Sequence, residues 1–154
     1  LHKAIRRQRQ MCIRDSLTLH FIGETSDLHG AVSAVQKSVR GIRPFELHLG
    51  RYNCFQRGGS RTSIVEVKGG LSELNALYES LQYAMSDNGF PRERKGYVPH
   101  ITLGRNVSHD DLVEAELRDE PLNASMRVNS ITLFESTRLN GEMVYSVLHR
   151  EKFL

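Results

Sequence analysis

The sequence predicts an α+β fold of two pseudo-symmetric lobes, each an antiparallel sheet backed by helices, with a central cleft. Three observations predict it. The order strand, helix, strand, tight turn, strand occurs twice along the 154 residues. Two near-identical segments, SLTLHFI and HITLG, open the two occurrences. A long amphipathic helix separates them, as a connector would.

In chain order, SLTLHFI (residues 16–22) is a short apolar-rich strand ended by Gly23. Thr25 or Ser26 is placed to cap a helix whose apolar residues Leu28, Ala31, Val32, Val35 and Val39 recur at helical spacing, with Gly41 just past its end. FELHLG alternates Phe45, Leu47 and Leu49 with Glu46 and His48, the pattern of a half-buried strand. RGGS then turns the chain into the strand TSIVEV. The connector helix runs from Leu71 to about Met85, with Leu71, Leu74, Leu77, Tyr78, Leu81 and Ala84 on one face and Asn88-Gly89 as its stop. The second half repeats the order: HITLG, a short helix through Leu112, Ala115 and Glu116 with Ser108 and Asp111 forming a box-like start, the strand MRVNSITLFES, an Asn140-Gly141 turn and the strand MVYSVLHR.

A chain of 154 residues with 39% hydrophobic content suits one compact domain. No run approaches the roughly 18 apolar residues of a membrane helix, and the start lacks the apolar stretch of a secretory signal. The expected setting is cytoplasmic, with no membrane partner, and the expected state a monomer. Cys12 and Cys54 show no metal-ligand spacing and read as free thiols. Neither a metal nor a cofactor is expected. The net charge of +3 suggests a nucleic-acid partner, but residues 1–16 hold five of the 21 basic residues and one of the 18 acids. The remainder carries 16 basic and 17 acidic residues, a balance of −1. Residues 1–15 have no apolar period and no cap, and read as a non-native basic segment, the product of a truncated or chimeric start; MCIRDS resembles translated adaptor sequence. A basic RNA-binding arm and an Arg-rich targeting segment are the alternatives.

Strand alternation turns the two Thr-Leu segments into chemistry. Ser16, Thr18 and His20 share one face, as do His100, Thr102 and Gly104. Leu17, Leu19, Phe21, Ile101 and Leu103 take the opposite faces and belong in the two cores, which turns the polar faces toward the cleft. His-x-[Ser/Thr] alone is a weak signal, expected roughly once by chance in a chain of this composition. The flanking residues are what sharpen it.

SLTLHFIGE and PHITLGR, with the terminal SITLFESTRLNGEMVYSVLHREKF, resemble the 2H phosphoesterase superfamily, and within it the RNA 2′,3′-cyclic phosphodiesterase family, also called 2′-5′ RNA ligases. Members carry a His-x-Thr-x motif in each lobe, as HLTLxFLGE early and PHxTLxR late. The resemblance spans residues 16 to 153 and implies a single bilobal domain over 16–154, lacking the family's opening strand and helix. It also implies that Ser16 stands where the first motif has histidine.

The resemblance implies metal-independent hydrolysis of RNA 2′,3′-cyclic phosphate ends to 2′-phosphates, with reverse 2′-5′ ligation, on RNA, oligonucleotide or small cyclic nucleotide partners. A second reading is a catalytically inactive nucleotide- or RNA-end-binding module of the same fold. Two imidazoles can serve such a reaction as base and acid near neutral pH, and threonine hydroxyls two residues away can donate to phosphoryl oxygens. His100, Thr102, Thr18 and Ser16 are the expected catalytic set. Arg105, Arg61 and His20 are the expected substrate-binding residues. Arg105 differs in strand parity from His100 and Thr102, so a structural role at the strand end competes with phosphate binding. Phe55 and Tyr97 are candidates to stack on a base, and His48 to border the cleft. Arg92, Arg94 and Lys95 read as a solvated run before the second motif. A serine hydroxyl cannot act as a base near pH 7, so turnover is expected to be impaired.

Overall fold

The computed structural model describes residues 16–105 and 111–154; the basic segment 1–15 and the Ser108 part of the expected helix start lie outside the described residues. The described chain forms helices α1 (Leu28–Ser38), α2 (Leu71–Asp87) and α3 (Asp111–Asp119). Its strands are β1 (Phe45–Arg57), β2 (Ser60–Gly69), β3 (His100–Arg105), β4 (Ser125–Val128), β5 (Ser130–Leu139) and β6 (Glu142–Lys152). The fold is α+β, with antiparallel pairing in a four-stranded sheet of order β3-β2-β1-β4 and a two-stranded sheet of β5 and β6.

The chain folds as two compact units, and neither is a sequence half. One gathers residues up to Leu19, Glu46–Leu71 and Tyr97–Met126; the other gathers His20–Phe45, Ser72–Gly96 and Arg127–Leu154.

The first unit is the four-stranded sheet with α3. Gly58 and Gly59, with φ of 53° and 80°, make the two-residue turn that sets the β1–β2 register. Tyr52, Ser63, Val65, Val67 and Ile101 are buried on one face of the sheet and Ile64 on the other, and the Tyr52 hydroxyl meets the Ser63 hydroxyl at 3.0 Å, so that pair enters the interior satisfied. Gly70 ends β2 at φ +76°, and a side chain there would run into the Glu46 carbonyl, so this corner requires glycine.

The second unit packs α1 against β5 and β6. Ala31, Ala34 and Val35 are buried on α1 and Val39 just past its end, and Leu74, Leu77, Tyr78, Leu81, Ala84 and Met85 on α2, the expected faces of both helices. Leu28 stays 48% exposed at the start of α1. The Ser80 hydroxyl on α2 donates to the Ser38 carbonyl at the end of α1 at 2.8 Å. Phe45 and Phe153 stack with centroids 6.2 Å apart. The Asn140-Gly141 turn has φ of 51° and 80°, as a primed two-residue hairpin requires.

Three local expectations change. The α1 cap is Asp27, whose carboxylate accepts from the Gly30 amide at 2.8 Å, while the Thr25 hydroxyl accepts from the Asp27 amide at 3.0 Å. Thr25 therefore shapes the approach, and the carboxylate, a stronger acceptor, caps the helix. MRVNSITLFES is two strands, broken at Asn129, whose carbonyl accepts from the Phe153 amide at 2.8 Å. In SLTLHFI only Leu17 pairs, through an isolated antiparallel bridge to Ile101. Beyond it Phe21 is 76% exposed, its amide donating to the Glu93 carboxylate at 2.9 Å rather than to a strand.

Candidate active site

A single bridge positions the two Thr-Leu segments. Leu17 opposite Ile101 in antiparallel sense sets Thr18 opposite His100 and Ser16 opposite Thr102. Residues so paired lie about 4.5–5.5 Å apart at their Cβ atoms and project to one side. Leu17 and Ile101 take the other side, where Ile101 is 6% exposed. The four polar residues thus form one patch on adjacent segments of the first unit: Ser16 and Thr18 exposed, His100 and Thr102 half-buried.

Arg105 joins that patch because β3 is not regular. Its register with β2 runs Glu66 to His100, Val65 to Ile101 and Ile64 to Thr102, then slips to Ser63 with Gly104 and Thr62 with Arg105. The slip inserts Leu103 as an extra residue, a β-bulge. Thr62, Ile64 and Glu66 share one face of β2, so Arg105 opposite Thr62 falls on the face of His100 and Thr102 despite its odd spacing from them. The bulge also turns Leu103 outward, 45% exposed, away from its expected place in a core.

The His100 ring is held at two points. Its Nδ1 lies 2.7 Å from the Val98 carbonyl, which can only accept, so Nδ1 carries a proton and donates it. Nε2 is left as the atom that exchanges protons. Phe55 meets the ring edge-on, centroids 5.1 Å apart and planes at 89°, which fixes its plane.

Other expected residues fall elsewhere. Arg61 alternates with Ser63 and Val65, on the face of β2 away from Thr62. His20 belongs to the second unit, where its Nδ1 lies 2.8 Å from Nε2 of Gln82. Burial holds its imidazole below the ordinary 6.5, with the Glu93 carboxylate opposing. His48 is exposed beside Glu46 at 3.8 Å. Arg92 pairs with Glu79 at 3.1 Å and lies over the Tyr83 ring, 4.5 Å from its centroid. Cys54 is a free thiol. Among the described residues no group of three or more His, Cys, Asp or Glu is arranged to hold a metal ion, and no helix is long and apolar enough to cross a membrane.

Sequence reasoning passed over Asn53 and Glu66. Glu66 is the cross-strand partner of His100, and Nδ2 of Asn53 donates to its carboxylate at 2.6 Å. An acid set between the buried Val65 and Val67 was the signal in the sequence.

Known proteins resemble this chain in sequence and in fold over most of its length. An RNA 2′,3′-cyclic phosphodiesterase of Thermotoga maritima is 29% identical over 142 residues, covering 89% of this chain and 74% of that protein. One from Aeropyrum pernix is 28% identical over 142 residues, covering 88% of this chain and 80% of that protein. The crystal structure of E. coli LigT in apo form superposes with a TM-score of 0.66 at 26% identity, over 89% of this chain and 74% of LigT. LigT complexed with 3′-AMP gives a TM-score of 0.66 at 27% identity, over 89% and 75% of the two chains. The profile of the 2′-5′ RNA ligase superfamily matches residues 17–140, a span that holds both Thr-Leu segments, the bridge between them and the bulge that turns Arg105, and the chain belongs to that superfamily.

Proposed function

We propose that this chain is a cyclic phosphodiesterase that hydrolyses RNA 2′,3′-cyclic phosphate ends to 2′-phosphates, with 2′-5′ joining as the parallel reaction in which a 5′-hydroxyl replaces water, and that Ser16 impairs it. The observation that carries the proposal is the Leu17–Ile101 bridge, whose register gathers Ser16, Thr18, His100 and Thr102 on one face. Relatives named RNA 2′,3′-cyclic phosphodiesterase support the reaction class, and LigT complexed with 3′-AMP supports a nucleotide end as ligand.

In the reaction a water oxygen bonds to phosphorus while the bond from phosphorus to the ribose 3′ oxygen breaks, leaving a 2′-phosphate and a 3′-hydroxyl. One group must take the water's proton and another must protonate the leaving oxygen. His100 exchanges protons at Nε2, so it fills one role. Thr18 and Thr102 donate hydroxyl hydrogens to the phosphoryl oxygens as charge builds there, and the Arg105 guanidinium pairs with the phosphate. The second acid–base group belongs at position 16, and a serine hydroxyl titrates far above neutral pH. Loss of one positioned acid–base group costs typically 10²- to 10⁴-fold in rate. The same serine favours the second reading, a module that binds nucleotide or RNA ends without turnover.

Three proteins assayed side by side on a 2′,3′-cyclic nucleotide test this: the chain as it stands, Ser16→His, and Ser16→His with His100→Ala. The expected order is weak, strong and none, unchanged by a chelator. Equal rates for the first two would remove position 16 from the mechanism. Binding without turnover in both would establish the second reading.

A further inference from the structure

The face that carries His100 continues across the sheet beyond the phosphate-handling residues, and what it carries there is suited to a nucleobase. Asn53 lies opposite Ile64, which lies opposite Thr102; Phe55 lies opposite Thr62, which lies opposite Arg105; Glu66 lies opposite His100. Of the side chains on that stretch, Asn53 and Glu66 have no part in the chemistry proposed above, and Phe55 enters it only by holding the His100 ring.

Their arrangement is fixed rather than incidental. The Asn53 side-chain oxygen accepts from the Cys54 amide at 2.8 Å, and a backbone N–H can only donate, so the orientation of the Asn53 amide is determined. Nδ2 must therefore face Glu66, and it donates to one carboxylate oxygen at 2.6 Å. The pair presents an acceptor, the remaining carboxylate capacity, beside a donor, the second Nδ2 hydrogen. Both side chains are half-buried, so little ordering is left for a ligand to impose. Phe55 adds a ring that is 40% exposed and already in contact with the His100 imidazole, so an aromatic surface begins where the phosphate site ends.

We infer that Asn53, Glu66 and Phe55 form a nucleobase subsite that prefers bases with an exocyclic amine. Phe55 supplies stacking area, which any base can use. Glu66 accepts from the exocyclic amine of adenine, cytosine or guanine, and the Nδ2 hydrogen of Asn53 meets an acceptor on the same edge. Uracil has no exocyclic amine, and its imide N–H is flanked by two carbonyl oxygens that face the carboxylate unfavourably. This deepens the proposed phosphodiesterase reading and rests on it for the phosphate end, while base selection is measurable apart from turnover.

The test uses four 2′,3′-cyclic mononucleotides and, as a substrate without a base, methyl ribofuranoside 2′,3′-cyclic phosphate, with Ser16→His as the active background. Hydrogen-bond readout of one base is worth about 1–3 kcal/mol, so the adenine and cytosine substrates should exceed the uracil substrate in kcat/KM by roughly 5- to 150-fold. Glu66→Ala should collapse that ratio toward one, and Phe55→Ala, which also frees the His100 ring and so slows every substrate, should shrink the ratio of each base-bearing substrate to the one without a base. Equal kcat/KM for adenine and uracil in the unaltered site would overturn the subsite while leaving the phosphodiesterase reading intact. If no cyclic substrate turns over, the phosphodiesterase reading fails instead. The subsite is then decided by calorimetry with 2′-AMP against 2′-UMP on the chain as it stands, where equal affinities overturn it.

Discussion

Gln82 is 2% exposed on α2, and its amide is committed at both ends. The oxygen accepts from the Glu93 amide at 3.0 Å, so the nitrogen must be the end that faces His20 Nδ1 at 2.8 Å. Nδ1 then has to accept, and the proton of the neutral ring sits on Nε2. Protonating His20 at Nδ1 would set two donors against each other in a half-buried place. Burial likewise lowers the His20 pKa from 6.5. The sign follows by linkage: between the lowered folded value and the unfolded one, the unfolded chain binds more protons, so stability is fully present above 6.5 and declines as pH falls through the window below it. The melting temperature should therefore fall as pH drops from 7 toward 5, more steeply than in His20→Gln, which keeps an acceptor for Gln82 but cannot titrate. Parallel curves for the two proteins would show that His20 does not carry the effect. None of this was visible in the sequence, where His20 read as a strand residue beside Thr18. The hydrogen bond that claims it comes from a residue 62 positions away.

At the scale of elements, periodicity predicted what depends on local pattern and missed what depends on pairing. Both long helices carry their buried residues on the expected faces, and both Gly-containing turns fall where the sequence placed them. The bulge at Leu103 is a property of two strands together: nothing in HITLGR announces that Thr102 and Arg105 will face the same way. The Asp27 cap shows the same limit at short range, since Thr25, Ser26 and Asp27 are all competent caps and the choice lies in how the approach is hydrogen-bonded. Turn chemistry, by contrast, gives a firm prediction. Gly70 combines φ +76° with a close approach to the Glu46 carbonyl, so Gly70→Ala adds backbone strain and a clash with main chain at one point. It should cost about 2–4 kcal/mol, read as a lowered urea midpoint with an unchanged slope. A loss within about 0.5 kcal/mol, the range of an ordinary surface change, would mean that the corner relaxes freely.

At the scale of the molecule, the expectation of an α+β fold with antiparallel sheets and helices holds, and the expectation that its units follow the two sequence halves does not. The chain passes between its units at 19/20, 45/46, 71/72, 96/97 and 126/127, so each unit is assembled from three separate segments. No contiguous fragment contains one whole unit without part of the other. Urea unfolding should therefore give coincident curves by far-ultraviolet circular dichroism and tyrosine fluorescence, as one cooperative step; two resolved transitions would show that the units melt independently. The packing of α1 on β5 and β6 carries the point further. On a ribosome adding about 5–20 residues each second, the apolar side of that helix emerges on the order of 5–20 s before the hairpin that shelters it. Through that interval the nascent chain displays Ala31, Ala34 and Val35 to whatever is nearby, and its yield in a cell depends on chaperone capacity as well as on the stability of the finished protein.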